Sequence, residues 1–236
     1  MVRIYLTRLL TICLILLFPI AAMAKSNGLV DIHQEYNIFK HYFRFNPHVL
    51  ELALESYDCG LYYGHTGNPG ILTIVDYQLP SYDKRLWTLD LKKHKVLYHT
   101  WVAHGAGSGT VNATTFSNRL NSFDSSIGLY ETGLSYSGEW GYSMHLRGLE
   151  HGFNSNALRR SIIMHPGNYV SKKCIKKHGM IGMSHGCFAV PVSLNRDIID
   201  TLKDGSLLFV YYPSQNWLHH SAFLHCPILR KYHKSV

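Results

Sequence analysis

Acidic residues are scarce in this chain: 15 Asp and Glu stand against 23 Lys and Arg, for a formal charge of +8. A surface of that sign favours acidic polymers as partners, whether nucleic acid, anionic lipid or cell-wall material. Charged residues of any kind make up only 16% while apolar ones reach 46%, which excludes a disordered chain and predicts a packed globular body. Cysteines number five, too sparse for a disulfide scaffold. No His-Glu-x-x-His, internal repeat or low-complexity segment occurs. Past residue 24, no apolar run is long enough to span a bilayer.

The N-terminus has the three parts of a secretory signal: Arg3 and Arg8, an apolar run from Leu9 to Ile20, and Ala22-Met23-Ala24 before Lys25. That run falls short of the ~20 residues a spanning helix needs, which favours cleavage after Ala24 over an uncleaved anchor. The expectation is an exported protein of the periplasm or cell wall, with no stable membrane insertion after cleavage. Export argues against nucleic acid as the acidic partner. Nothing in the sequence indicates an oligomeric state.

Four segments follow from the pattern: a signal peptide over 1–24, an N-terminal helical segment over 25–69, a strand-rich body over 70–213 and a tail over 214–236. Helical spacing over 28–57 is clearest after Asn46-Pro47, where Val49, Leu50, Ala53 and Leu54 form one stripe and Cys59-Gly60 is expected to close the helix. From Ile71 the period changes to that of strands. These are predicted over Ile71–Tyr77, Leu86–Leu91, Lys95–Ala103, Gly128–Thr132, Ser143–Leu146, Arg160–His165 and Leu207–Tyr212. Between them, residues 104–126 read as a long Gly/Ser/Thr/Asn-rich loop, and such loops in compact domains are usually functional. Asn195–Lys203 reads as a helix ended by Gly205, and the tail carries Trp217, several histidines and Cys226. Short strands joined by Gly/Ser turns predict a mainly β fold, two packed sheets with a cleft formed partly by residues 104–126.

The chemistry concentrates in two stretches. Cys187 lies in Ser184-His185-Gly186-Cys187, and His165 precedes it by twenty-two residues in His165-Pro166-Gly167. At that separation the two meet on neighbouring strands and not within one helix, which is the layout of nucleophile and base in covalent acyl transfer. An ordinary thiol is mostly protonated at neutral pH, so a catalytic Cys needs a base or cation beside it; His165 is one candidate and His185 another. Gly186 permits an unusual backbone angle and close approach of a substrate carbonyl. The amides around Gly186 and Cys187 are candidate donors to an oxyanion, and Ser184 offers a hydroxyl to orient His185 or bind substrate. Two disulfides among Cys59, Cys174, Cys187 and Cys226 are the bland alternative. The surroundings of Cys187 favour a free thiol there, with at most one disulfide among the other three.

The Ser184-His185-Gly186-Cys187 run preceded by His165 and Gly167 resembles the signature of the L,D-transpeptidase catalytic domain (the YkuD-like family), which cross-links or trims bacterial peptidoglycan. The likeness extends over residues 70–212. It includes Thr73-Ile74-Val75-Asp76-Tyr77, Ser81, Arg85-Leu86-Trp87, Ala103-His104-Gly105, Ser108-Gly109, Thr115-Phe116-Ser117-Asn118, Ser126-Ile127-Gly128-Leu129-Tyr130 and Leu146-Arg147-Gly148-Leu149. These resemble the murein L,D-transpeptidase catalytic-domain branch. Phe188 stands where that branch usually has proline.

The resemblance implies a YkuD-like β-sandwich of mixed sheets with a few helices, peptidoglycan stem peptides as partners, and no metal or other cofactor. It implies that Cys187 attacks the diaminopimelate–D-Ala bond of a tetrapeptide stem with His165 as base. D-Ala leaves, and an amine acceptor resolves the thioester to a 3→3 cross-link. An L,D-carboxypeptidase or endopeptidase would use the same residues, and a non-catalytic wall-binding protein would hold Cys187 in a disulfide.

Other residues have plainer readings. His94, His99 and His104 recur every five residues, but a strand places such residues on opposite faces, which argues against a metal site. Arg147 is a candidate fork for a stem carboxylate, with an ion pair as the alternative. Tyr62-Tyr63, Trp87 and Trp101 are candidates for stacking on sugars, with core packing as the alternative.

Overall fold

The computed structural model describes residues 29–43, 46–65 and 67–232; the expected signal segment over 1–24 lies outside the described residues. Two helices lead in, α1 (Ile32–Phe39) and α2 (Pro47–Tyr62). α1 begins at Asp31, whose carboxylate accepts from the Gln34 amide. α2 starts with proline in its first turn, as expected, but runs through Cys59-Gly60 to Tyr62. Tertiary packing keeps Gly60 helical: a Cβ there would lie 2.6 Å from Leu207 Cδ1 and 3.2 Å from Leu129 Cδ2, so only glycine lets the helix sit this close to the sheet.

The strands are β1 (Ile71–Asp76), β2 (Leu86–Asp90), β3 (Lys95–Thr100), β4 (Gly128–Gly138), β5 (Gly141–Gly148), β6 (Ile163–Pro166), β7 (Phe188–Val190) and β8 (Leu207–Tyr211). They hydrogen-bond into one eight-stranded mixed sheet of order β3-β2-β1-β8-β4-β5-β6-β7. The fold is mainly β with a few helices. The mixed sheets expected of a sandwich are joined edge to edge into this single curled sheet. β1 and β8 are parallel neighbours at its centre and almost wholly buried, which matches their uninterrupted apolar sequences. β4 and β5 extend further than the sequence predicts, pairing out to Gly138 opposite Gly141.

The sheet curls until its two edges meet. Just past β3, the Ala103 amide donates to Ala189 O at 2.9 Å, the Ser184 amide to His104 O at 2.9 Å, and the Ala106 amide to Ser184 O at 2.8 Å. This seam covers the exposed edge of β7 and fixes the loop that enters it. Its rear support is Arg85, fully buried, whose Nη2 donates to Val102 O at 2.9 Å and lies 2.7 Å from His104 Nδ1.

Three helices after β6 complete the body: α3 (Lys172–His178), α4 (Val192–Leu202) and α5 (Gln215–His220), with a last turn α6 (Leu229–Tyr232). The tail packs. Trp217 is fully buried and donates its indole N–H to Glu150 Oε2 at 2.9 Å, while Cys226 is bonded to Cys59 in a disulfide. Cys174 and Cys187 are free.

Candidate active site

His165 and Cys187 come together through strand pairing. β6 and β7 are parallel neighbours, with Met164 opposite Phe188 and His165 opposite Ala189. Cys187 therefore enters β7 one residue before a position level with Met164, and His165 is its diagonal neighbour on the same face. Both side chains open into one cavity of about 310 Å³, lined also by Trp140, Arg160, Tyr169 and Met183.

The loop before Cys187 is held from within. Ser184 accepts the Gly186 amide at 3.1 Å and donates its hydroxyl to Cys187 O at 2.7 Å. Ser184 thus shapes the turn and does not bond His185. Gly186 has φ +111, and a Cβ there would lie 2.7 Å from Asp124 O and 2.9 Å from Ile162 Cδ1. Its freedom serves close packing of the chain on itself.

The tautomer of His165 follows from one contact. Nδ1 is 2.9 Å from Pro166 O, a group that can only accept, so Nδ1 carries the proton and Nε2 presents the lone pair. Burial pushes the imidazole below its ordinary 6.5, so it is neutral at pH 7. Burial likewise pushes the Cys187 thiol up, against smaller opposing effects of the Ile163 amide and the Arg160 cation. Cys187 Sγ lies 3.5 Å from Ser161 O, a contact to a carbonyl that suits the protonated thiol. The resting pair is therefore thiol and imidazole, not thiolate and imidazolium, and no direct hydrogen bond joins the two among the described residues.

A family model described as L,D-transpeptidase catalytic domain matches residues 43–211, well over half of the chain. The chain belongs to that family. L,D-transpeptidases are enzymes acting on peptidoglycan stem peptides. Solved members resembling this chain include the enzyme from Stackebrandtia nassauensis, at 13% identity over 78% of this chain and 79% of that one, with a TM-score of 0.38. The Ldtfm–avibactam carbamoyl enzyme shows 13% identity over 61% of this chain, with a TM-score of 0.36. The chain spans half of its length, 50%. LdtMt1 in complex with imipenem shows 11% identity over 60% of this chain and 59% of that one, with a TM-score of 0.36. No curated protein sequence matches the chain.

Within this member of the family, the remaining residues singled out by sequence divide plainly. His185 lines the cavity with its ring 4.5 Å from that of Phe123. The Gly186 amide is engaged by Ser184, which leaves the Cys187 amide as the remaining candidate of the expected pair for an oxyanion. His94 meets Glu35, His99 stacks on Trp87, and His104 sits between Arg85 and Gly109 O, so the three serve separate places. Burial, aided by the Arg85 charge, lowers His104 to about 4. Arg147 pairs with Glu131 on β4, the ion-pair alternative. Trp87 is buried in the core and Trp101 donates to Tyr82 O; neither they nor Tyr62 and Tyr63 line the cavity.

Sequence reasoning missed Arg160, Ser161, Trp140 and Tyr169. Trp140 occupies the tip of the β4–β5 hairpin, with its ring 5.6 Å from that of His165. Arg160 falls not at the start of a strand but in the turn before β6, where Nη1 donates to Ser117 O at 2.6 Å and ties the turn to the 104–126 loop. No ion pair offsets its charge among the described residues.

Proposed function

We propose that this chain is a cysteine-dependent peptidoglycan L,D-transpeptidase, with Cys187 as nucleophile and His165 as general base. The observation that carries this reading is the pair's placement, His165 on β6 and Cys187 just before its parallel neighbour β7, facing one cavity, with Nε2 of His165 unprotonated. As Sγ attacks the carbonyl carbon of the diaminopimelate–D-Ala bond, its proton passes to Nε2. The Cys187 amide donates to the developing oxyanion, and the nearby Arg160 cation favours the negative charge. The C–N bond then breaks, His165 returns the proton to the departing D-Ala amine, and a thioester to Cys187 remains. An amine from a second stem attacks the thioester and loses a proton to His165. Cys187 recovers its proton as the 3→3 cross-link is released.

The free state of Cys187 supports this over a wall-binding protein with that cysteine in a disulfide, because the disulfide formed uses Cys59 and Cys226. That bond also fits an oxidising compartment, in line with the proposed export to the periplasm or wall. Incubation with a purified tetrapeptide stem and chromatography of the products test the reading. It predicts D-Ala and a diaminopimelate-linked dimer; D-Ala with monomeric tripeptide alone would make the protein a carboxypeptidase.

A further inference from the structure

A second cavity, of about 290 Å³, opens beside the first and shares Arg160, Ser161 and His185 with it. Its remaining walls include Arg159, Asn121 and Phe123. Its charge is one-sided. Arg159 and Arg160 form no ion pair among the described residues, and the carboxylate acting on Arg160 is that of Asp124. The guanidinium of Arg160 is fixed entirely by neutral oxygens: Ser117 O and Ser126 Oγ on Nη1, Ser122 Oγ and Asp124 O on Nη2. Its orientation is set and its four Nη hydrogens are engaged, so it acts on an anion through its charge and leaves direct hydrogen bonding to Arg159. Arg159 is exposed and can close on a bound anion.

The backbone is strained at the same place. Five described non-glycine residues have positive φ; three of them, Asn121 (57°), Phe123 (57°) and Ser161 (52°), line this cavity. Strain of that kind, of order 1–3 kcal/mol each, persists where a binding surface demands it.

We propose that this cavity receives the α-carboxylate of the leaving D-Ala, an inference that rests on the function proposed above. The reach from the attacking sulfur bounds the place of the carboxylate. Three bonds separate the attacked carbon from the carboxylate carbon, about 4 Å at full stretch, and the attacking sulfur stands roughly 3–3.5 Å from the attacked carbon. The carboxylate therefore lies within about 8 Å of Sγ. Ser161 O, 3.5 Å from Sγ, belongs to a residue on the wall between the two cavities, and Arg160 Nη2 lies 3.2 Å from the place of a Gly186 Cβ. A guanidinium pair there selects stems that end one residue past the attacked carbonyl, and the departing D-Ala takes its carboxylate away for the acceptor to enter.

The test compares kcat/KM on three tetrapeptide stems: one with a free C-terminal carboxylate, one with a C-terminal carboxamide, and one with the diaminopimelate carboxylate amidated. Wild type should prefer the acid over the C-terminal amide by about tenfold, the scale of a hydrogen bond to a charged group. Arg159→Ala should bring that ratio to within about threefold of unity, with Arg159→Lys between the two. An unchanged ratio in Arg159→Ala overturns the inference, as does selectivity that follows the diaminopimelate carboxylate instead. Release from every stem without selectivity sinks this inference alone. No release from any stem sinks the functional reading and this inference with it.

Discussion

Gly186→Ala puts the architecture of the loop before Cys187 to a quantitative test. At φ +111 an L side chain is strained, at a cost of about 1–3 kcal/mol. The new methyl would also stand 2.7 Å from Asp124 O, a backbone atom that Arg160 Nη2 already holds, and 2.9 Å from Ile162 Cδ1. Ile162 can yield; Asp124 O cannot without moving the 104–126 loop. Overpacking of this kind adds about 1–3 kcal/mol. The sum is roughly 4 kcal/mol, read in thermal melts as a fall of about 10 °C for a chain of this length. Displacing Cys187 by even 1 Å should also lower D-Ala release about a hundredfold. Gly152→Ala is the control, since it has φ +83 but nothing within 4 Å of the added Cβ, so it meets the conformational cost alone. If Gly186→Ala loses no more stability than Gly152→Ala and keeps wild-type release, the packing argument is wrong.

Because burial holds His165 below 6.5, the acid limb of kcat/KM should have its midpoint below that value, and His165→Ala should lower kcat about a hundred- to ten-thousand-fold; a midpoint above 7 would point to a thiolate–imidazolium pair. Burial also raises the Asp76 carboxyl to about 6 from 3.8. Its contribution to stability is full below 3.8 and is lost as pH rises through 6, so Asp76→Asn, which keeps an acceptor for the Gln78 amide, should gain roughly 2 kcal/mol on wild type between pH 4 and pH 7 in denaturant melts. A constant difference across that range would refute the assignment. Replacing Cys59 and Cys226 by serine opens a link spanning 167 residues and should cost about 2–5 kcal/mol while leaving alkylation of Cys187 by iodoacetamide at its wild-type rate.

The parts of this molecule legible in its sequence are those set by local pattern. β1, β2, β3 and β8 follow from β-branched and apolar runs bounded by turn residues, and the meeting of Cys187 and His165 at one cavity follows from spacing that strand pairing satisfies. Gly60 was misleading because a tertiary contact, the closeness of α2 to Leu207, overrides the helix-ending tendency of glycine. Gly133 and Gly138 likewise suggest strand ends, but β4 takes Gly133 into a register shift between Thr132 and Ser135 and continues to pair Gly138 with Gly141. α3 carried readable caps in Ser171 and Gly179. Arg160 and Trp140 carry no such local mark. One arrives through a turn tied to the 104–126 loop and the other through a hairpin tip, and only the curled sheet brings both to Cys187.

The central claim is that Cys187 makes an acyl-enzyme with His165 as its base. Intact-mass spectrometry after incubation with a carbapenem, whose strained amide resembles an acyl donor, tests it most directly. The account predicts one added mass of the drug on the protein, mapped to the peptide containing Cys187, absent in Cys187→Ala and formed far more slowly in His165→Ala. An unmodified wild-type mass, or an adduct that survives Cys187→Ala, would contradict it.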